Sequence, residues 1–439
     1  MGVRSFSDSS TLAPDGLALA LAPALTPSGL ADYPSFFHGF ATHPQVLARG
    51  LVTLADVTAT RYFQYTPTSQ RDPVLTAHGD RLRAECFSAC NGVYARLDLL
   101  AAGFDGGEIG NGTTNVDLGT EMRRMLTSMG RTDLLHVDVG HRGVRVATPE
   151  MHALERPVEM PPRWVRALGN AAELHRDLVL RFTLDAAASR SLIASLPAVT
   201  SAPRSGWLTP SPTGFRVAQR ASGTAVFVSG LHRLTALKRL VTHVRSLTVY
   251  GPRGGGQGPA LVEAELPAGR LTLGLTDEAW RGYSGEGSLL TGLAGASAVA
   301  DADLVCALLA FEPVIDVSRL IRDSGLSEER VRSALAVLAA SGRVGWDGHD
   351  AAYFHRELPS EAGRLERDNP RLRSARELVA VGAVRRDGDG YLVRSGGDDY
   401  VVGLATDTGS CTCRWFLRHG GGRGPCKHVL AARLVADVQ

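Results

Sequence analysis

Apolar and polar residues alternate along several short stretches in the first two thirds of the chain. Leu178–Asp185 (LVLRFTLD) alternates as a strand with one buried face does. The same pattern predicts four more strands, at Ala225–Val228, Ser246–Tyr250, Ala260–Leu266 and Arg270–Leu275. Ala187–Leu196 and Leu231–Val244 instead have the spacing of helices. We therefore predict a β-rich α+β region over residues 61–295.

Helical spacing dominates after residue 300. Two helices are predicted at Ala302–Phe311 and Val317–Asp323, and a third follows the N-cap Ser327 and runs to Ala340. Gly342–Tyr353 then alternates and turns like a hairpin. Three helices and a hairpin resemble a winged helix-turn-helix, so we predict a winged-helix-like unit over residues 301–357.

A winged-helix-like unit can bind DNA or serve as a structural or protein-binding element. Arg330, Arg332 and Arg343 are candidate phosphate contacts, but the helix that would read DNA begins with Glu328 and Glu329, which repel phosphates. The balance of charge favours the structural or protein-binding role.

The strongest chemical pattern lies near the end of the chain. Tyr391–Arg394 and Tyr400–Leu404 read as two strands joined by a Gly-rich turn. Four potential metal ligands follow, Cys411, Cys413, Cys426 and His428. Residues two apart in an extended segment point to the same face, so Cys411 and Cys413 can bind one ion. Cys426 and His428 begin an apparent helix, Lys427–Val438, whose free amides favour thiolate. Three sulfurs and one imidazole predict one structural Zn²⁺.

This pattern, CxC followed by CxH, resembles the SWIM zinc finger. The preceding hairpin, the aromatic pair Trp415 and Phe416 and the GPCKHVLAA run carry the same resemblance. It implies a finger over residues 391–439 that binds DNA or protein.

Basic residues are concentrated in the finger, and no acid occurs between residues 411 and 436. The candidate contacts to nucleic acid or to a partner protein are Arg414, Trp415, Arg418, Arg423, Lys427 and Arg433. Three thiolates on Zn²⁺ would cancel part of this positive charge.

The longer architecture is similar to that of bacterial SWIM proteins found beside MoxR-type AAA ATPases and von Willebrand A-domain proteins. The sequence segments that carry this likeness are CNGVYARLD at residues 90–98, GTTNVD at residues 112–117 and RGYSGEG at residues 281–287. The resemblance implies a partner component of a multi-protein ATPase system.

The remaining parts of the chain complete the predicted domain order. Residues 1–60 form an N-terminal segment with a helix from Pro44 to Ala55. Residues 360–390 form a connecting helix, with Asn369 as its cap and Pro370 at its first position.

Composition narrows the class of protein. Of 439 residues, 44% are hydrophobic and 21% charged, which excludes a disordered chain, a collagen and a coiled coil. A net charge of +2 gives no reason to expect that the chain as a whole binds nucleic acid or an anionic membrane. Six cysteines are too few for a disulfide-built secreted fold, and no apolar run is long enough to span a membrane. We expect a cytoplasmic protein.

Three further groups are weaker candidates for chemistry. Asp105–Asp117 is rich in Gly and Asn and is expected to be a tight turn loop, with phosphate or cation binding as the alternative. Cys86 and Cys90, near His78, are expected to be buried thiols rather than a second metal site. His136 and His141 flank Asp138 in what we expect to be a solvated turn, with a metal site of two histidines and a carboxylate as the alternative.

No familiar catalytic motif is present, so we do not expect an enzyme. For residues 61–295 the question of catalytic activity stays open. Two functions remain: a zinc-binding adaptor in a protein assembly, and a nucleic-acid-binding protein that uses the finger and the winged-helix-like unit together.

Overall fold

The computed structural model describes the chain in several stretches. These are residues 35–63, 73–140, 142–158, 160, 162–201, 203–283, 290, 293, 298–356, 358, 369–406 and 408–436. Before residue 35 it gives the backbone of four short strands that pair as two hairpins, β1 (Thr11–Ala13) with β2 (Gly16–Ala18) and β3 (Ala24–Thr26) with β4 (Gly29–Ala31).

Eight antiparallel strands form the largest sheet, in the order β10-β6-β7-β8-β20-β19-β18-β14. Their bounds are β6 (Val74–His78), β7 (Arg81–Phe87), β8 (Val93–Leu100), β10 (Asn111–Asn115), β14 (Leu178–Leu184), β18 (Ser246–Pro252), β19 (Ala260–Leu266) and β20 (Gly269–Leu275). One face of this sheet is apolar and packs against helix α1 (Pro44–Thr58). The two approach closely, since a Cβ on Gly50 of α1 would lie 2.7 Å from Leu97 Cδ2 of β8.

The opposite face of the sheet is charged and also buried. Pairing places Asp98 of β8 between Arg83 of β7 and Arg270 of β20. A two-stranded sheet, β21 (Val344–Asp347) with β22 (Ala352–His355), covers them. Its Asp347 Oδ2 accepts a 2.7 Å hydrogen bond from Arg83 Nη2, and Arg356 just beyond it forms a 2.6 Å ion pair with Glu85.

The charges in this interface are balanced. Burial alone would raise the pKa of the Asp98 carboxyl, but Arg83 and Arg96 outweigh it and hold that pKa below its ordinary value. The Asp347 carboxyl likewise has a lowered pKa because nearby arginines outweigh its burial. The hairpin is therefore joined to the large sheet by compensated ion pairs rather than by an apolar seam.

Two smaller sheets flank this core. A five-stranded sheet has the order β13-β12-β11-β5-β9, with β5 (Ser35–Ala41), β9 (Phe104–Ile109), β11 (His136–Gly140), β12 (Gly143–Ala147) and β13 (His152–Glu155). A three-stranded sheet joins β15 (Gly206–Ser211), β16 (Gly214–Ala218) and β17 (Val226–Val228). The helices of this part are α2 (Thr120–Ser128), α3 (Pro162–Arg176), α4 (Ala186–Ser195) and a run of 3₁₀ turns at Leu231–His243, with a short 3₁₀ turn at Ala101–Gly103.

Three helices precede the β21–β22 hairpin: α5 (Ala298–Ala307), α6 (Val317–Ser324) and α7 (Glu328–Ala340). Ser327 caps α7 as predicted, since its hydroxyl accepts from Arg330 N. Every residue of α7 from Ala334 to Ala340 is buried, because the helix packs between α5 and α3. A Cβ on Gly169 of α3 would lie 2.5 Å from the carbonyl oxygen of Ala339, so the two backbones touch.

The last part contains α8 (Pro370–Ala380) and a four-stranded antiparallel sheet, β23-β24-β25-β26. Its strands are β23 (Val384–Asp387), β24 (Gly390–Ser395), β25 (Asp398–Gly403) and β26 (Ser410–Cys411). The short helix α9 (Arg414–His419), a 3₁₀ turn at Gly420–Arg423 and α10 (Lys427–Ala436) complete the described chain. Helix α10 packs against α8.

The predicted fold class is confirmed: the protein is α+β with several sheets. The alternating stretches are strands, and Pro44–Ala55 lies within α1. The expectation of a turn loop at Asp105–Asp117 is wrong, because the segment supplies most of β9 and all of β10, which pair with β5 and β6. The predicted domain boundaries remain predictions. No helix among the described residues is both long and apolar enough to cross a membrane.

Candidate metal centre

Four elements bring the predicted ligands together. Cys411 ends β26, which pairs with β25 through Val402. Cys413 is the N-cap of α9, and its sulfur accepts from Phe416 N. Cys426 and His428 stand at the start of α10, where Leu430 N donates to the Cys426 carbonyl. The hairpin and the two helix starts therefore converge on one point.

The ligand atoms of these four residues all lie within 4.8 Å of one another, and all four side chains are buried. Cys411 Sγ and Cys426 Sγ lie 3.6 Å and 4.0 Å from His428 Nδ1. Sulfur and nitrogen bound to one tetrahedral Zn²⁺ would be about 3.5 Å apart, given the usual bond lengths. The arrangement needs only small adjustment to hold such an ion.

The ring of His428 is oriented for binding through Nδ1. Its other nitrogen, Nε2, is buried and has no hydrogen-bond partner in the described part of the chain. The ring stacks on Tyr400 of β25, with centroids 4.3 Å apart and planes inclined by 18°. A neutral imidazole carrying its proton on Nε2 would leave the Nδ1 lone pair for a metal. The residues present therefore fit a metal ion.

The three cysteines lie close enough to share protons. A hydrogen bond from Cys411 lowers the pKa of the Cys426 thiol to about 4, against the opposing effect of burial, and the amides of Val429 and His428 also stabilise its thiolate. The same hydrogen bond raises the pKa of Cys411, since Cys411 holds the shared proton. A divalent cation would replace such protons and bind all three sulfurs as thiolates.

The donor set leaves no position for a substrate. Three thiolates and one imidazole complete a tetrahedron, which is typical of structural rather than catalytic zinc sites. A closed Cys₃His set between a β-hairpin and a helix N-terminus defines a zinc-finger module.

Comparison with known proteins identifies the module. Residues 400–435 match the SWIM zinc finger family. The chain therefore carries a SWIM zinc finger at its C-terminal end, as the ligand spacing predicts. No curated protein matches the chain.

Two solved structures resemble the chain over 55% of its length. Proliferating cellular nuclear antigen from Entamoeba histolytica is 14% identical, with 99% of that chain covered and a TM-score of 0.37. A PCNA2–PCNA3 complex from Sulfolobus tokodaii is 10% identical, with 100% of that chain covered and a TM-score of 0.40. TM-scores below 0.5 do not establish a common fold.

The six predicted contact residues of the finger fall into two groups. Arg414 and Arg418 are exposed on α9. The other four are half-buried. The Arg371 guanidinium of α8 lies 4.8 Å from the Trp415 ring, and Arg371 Nη1 donates to the carbonyl of Arg423. The other two half-buried residues are Lys427 and Arg433, whose Nη2 donates to the Thr406 carbonyl.

Sequence reasoning missed three residues that shape the site. Tyr400 holds the ring of His428, Arg371 joins α8 to the segment before Cys426, and Trp280 lies 5.4 Å from the Arg423 guanidinium. Tyr400 could have been found from the sequence, because it lies in the predicted hairpin. Arg371 and Trp280 carry no local signal, since their partners are more than forty residues away.

Other candidate groups lie apart from the finger. Cys86 Sγ donates to the Leu54 carbonyl, and His78 Nε2 contacts the His355 carbonyl at 2.8 Å. Asp138 accepts from Ser35, while the predicted neighbour His141 lies outside the described residues. Within the described chain, the finger holds the one group of three or more closely placed Cys, His, Asp and Glu ligands.

Proposed function

We propose that this chain is a zinc-binding adaptor. One structural Zn²⁺ bound by Cys411, Cys413, Cys426 and His428 holds the finger, and helix α9 presents a protein-binding face. The observation that carries this proposal is the exposure of Leu417, 73%, on the surface of α9. Arg414 lies three residues before it, on the same face of the helix, and Arg418 follows it directly, about a quarter of a turn further round the helix.

Helix α7 supports an adaptor over a DNA reader. In a DNA-binding winged helix, the corresponding helix enters the major groove and must be exposed. Here α3 and α5 cover the second half of α7, Ala334–Ala340, and the exposed first turn begins with Glu328 and Glu329, which repel phosphate. Arg330 is paired with Asp301 at 2.6 Å and Arg332 with Glu328 at 2.7 Å, so an acid offsets each of these cations. The winged-helix-like unit then serves as a structural element.

The exposed face of α9 suits a partner with an apolar pocket and an acidic rim. Leu417 would enter the pocket, while Arg414 and Arg418 would face the acids. The likeness of the longer architecture suggests a MoxR-type AAA ATPase or a von Willebrand A-domain protein as this partner. The role requires no catalytic residue in this chain.

Binding to the purified ATPase and A-domain protein of the same organism tests the proposal. We expect Leu417→Asp to weaken binding about tenfold or more, because it places a charge in the apolar pocket. Leu154→Asp, at an exposed position of β13, is the matched control and should bind as the unmodified chain does. The proposal fails if neither protein binds, or if both variants bind equally well.

Nucleic-acid binding is the alternative, and one observation favours it. Neither Arg414 nor Arg418 forms an ion pair within the described chain, so both can reach phosphates. Fluorescence anisotropy with duplex DNA over a salt series would decide. A steep salt dependence, lost in the Arg414→Gln/Arg418→Gln variant, would favour this function over the adaptor.

A further inference from the structure

A cavity lined by residues outside the finger has a strongly basic wall. It lies where the start of α1, the end of the 3₁₀ run at Leu231–His243 and the start of β18 meet, and its volume is about 360 Å³. Three arginines and two histidines line it: Arg131, Arg190, Arg245, His43 and His243. We call it the basic cavity. No acidic residue among those the structure describes lines it.

The three arginines are not neutralised by neighbours. None of them forms an ion pair with an acid in the described part of the chain. Two acids close to these arginines in the sequence have other partners: Asp133 accepts from Gly130 N, and Glu265 accepts from Ser246 Oγ. Three exposed arginines from separate parts of the chain therefore line one space, and none of them is paired with an acid of the described residues.

The pKa of His243, one of the two histidines in the wall, is affected by positive charges in and beside the cavity. His243 donates through Nε2 to Gln45 Oε1, because the Gln45 amide nitrogen is fixed on the Met129 carbonyl. Burial lowers the pKa of His243, and the positive charges of Arg49, Arg131 and His43 lower it further. Excess positive potential of this kind attracts an anion.

The wall also has fixed polar groups and an apolar side. Arg49 Nη1 donates to Thr242 Oγ1 at 3.1 Å, which holds that part of the wall in place. Val46, Val244 and Pro267 supply apolar surface. A cavity of this size is at the small end of ligand sites and exceeds what one phosphate group fills. The lining therefore matches an anionic group attached to a small organic body.

We propose that the basic cavity binds a small phosphorylated metabolite through its phosphate groups. Guanidinium groups match phosphate oxygens with paired hydrogen bonds, and three of them suit a di- or triphosphate better than a single carboxylate. The site is independent of the zinc finger and of its partner.

Calorimetric titration of the full chain with inorganic pyrophosphate and with ADP tests the proposal. We expect saturable binding of one ligand per chain, with adenosine not binding. Arg190→Gln and Arg245→Gln should each weaken binding about tenfold, since each removes charged hydrogen bonds. Arg322→Gln, an exposed arginine on α6, is the matched control and should leave the affinity unchanged.

Hydrogen exchange locates the site. Bound pyrophosphate should slow exchange of the amides in residues 43–47 and 242–246, which form the wall. Absence of saturable binding at low salt would overturn the proposal, as would equal weakening by Arg322→Gln. Duplex DNA that binds more tightly than ADP and displaces it would also overturn it, because the cavity would then be part of a nucleic-acid surface.

Discussion

At the scale of single residues, the buried polar side chains are the most informative. Trp164, Arg83, Arg96 and Arg233 are among the largest fully buried side chains, so arginine serves here as a core residue. Each of these arginines is hydrogen-bonded to carboxylates or carbonyls, which offsets its desolvation. The arginine content of the sequence predicts none of this, since the partners lie on distant strands.

Three buried histidines make stability depend on pH. Burial is the main cause that lowers the pKa of His78, and it lowers those of His175 and His355 to about 3. All three stay neutral in the folded chain, whereas the unfolded chain takes up protons below about pH 6.5. Stability must therefore fall as the pH falls from 6.5 towards 3.

Urea unfolding at several pH values checks this. We expect the free energy of unfolding to drop between pH 7.5 and pH 5 by about 2 kcal/mol for each of the three histidines. His152→Gln, at an exposed position, should leave the slope unchanged. Equal stability at the two pH values would contradict the assignment.

At the scale of elements, local patterns predict strands and ligands well and fail for contacts between distant segments. The β19 strand has the bounds that alternation gives, and the CxC and CxH spacing is enough to identify the finger ligands. The strands β9 and β10 were missed because Gly- and Asn-rich segments have low strand propensity and here depend on pairing with β5 and β6. Alternation also implied a solvent-facing side for β20, yet all seven of its residues are buried, and Arg270 pairs with Asp347 of the β21–β22 hairpin.

The contact of α3 with α7 gives a test at this scale. Gly169→Ala would ordinarily stabilise a helix by about 1 kcal/mol. Here the added Cβ meets the backbone of α7 at Ala339 and Ala340, and backbone cannot yield easily. We expect a loss of roughly 1–3 kcal/mol, measured by chemical unfolding. Stabilisation by this substitution would show that α7 is not packed on α3.

At the scale of the whole molecule, the winged-helix-like unit is part of the main body rather than a separate module. Its hairpin forms ion pairs with the charged face of the large sheet, and α7 packs on α3. The finger also joins this body, because Leu430 and Leu434 of α10 share an apolar cluster with residues of α5, α7 and α8.

The hairpin contact predicts a large effect of one substitution. Asp347→Asn would remove one of the two carboxylates that Arg83 and Arg96 share, and only Asp98 would remain to offset both buried guanidiniums. We expect a loss of about 3–5 kcal/mol in the free energy of unfolding. Glu328→Gln, which removes an exposed i,i+4 ion pair with Arg332, is the control and should cost less than about 0.5 kcal/mol. Similar effects of the two variants would contradict a buried interface.

Removal of metal tests how the finger depends on its ion. The finger has a small apolar core around Val393, Val402 and Val429, so metal binding must supply much of its stability. Chelation should speed amide exchange across residues 384–436, while β6–β8 and α1 keep their protection. Some added exchange in α8 follows from its contact with α10. Protection of the finger that survives chelation would contradict this dependence.

X-ray absorption at the zinc edge of the purified protein tests the central claim most directly. A SWIM finger built on Cys411, Cys413, Cys426 and His428 predicts one zinc per chain, with three sulfurs at about 2.3 Å and one nitrogen at about 2.0 Å. Cys413→Ser should lower the zinc content, whereas Cys306→Ser should leave it unchanged. A finger that folds without zinc, or a zinc shell with two or fewer sulfurs, would contradict the account.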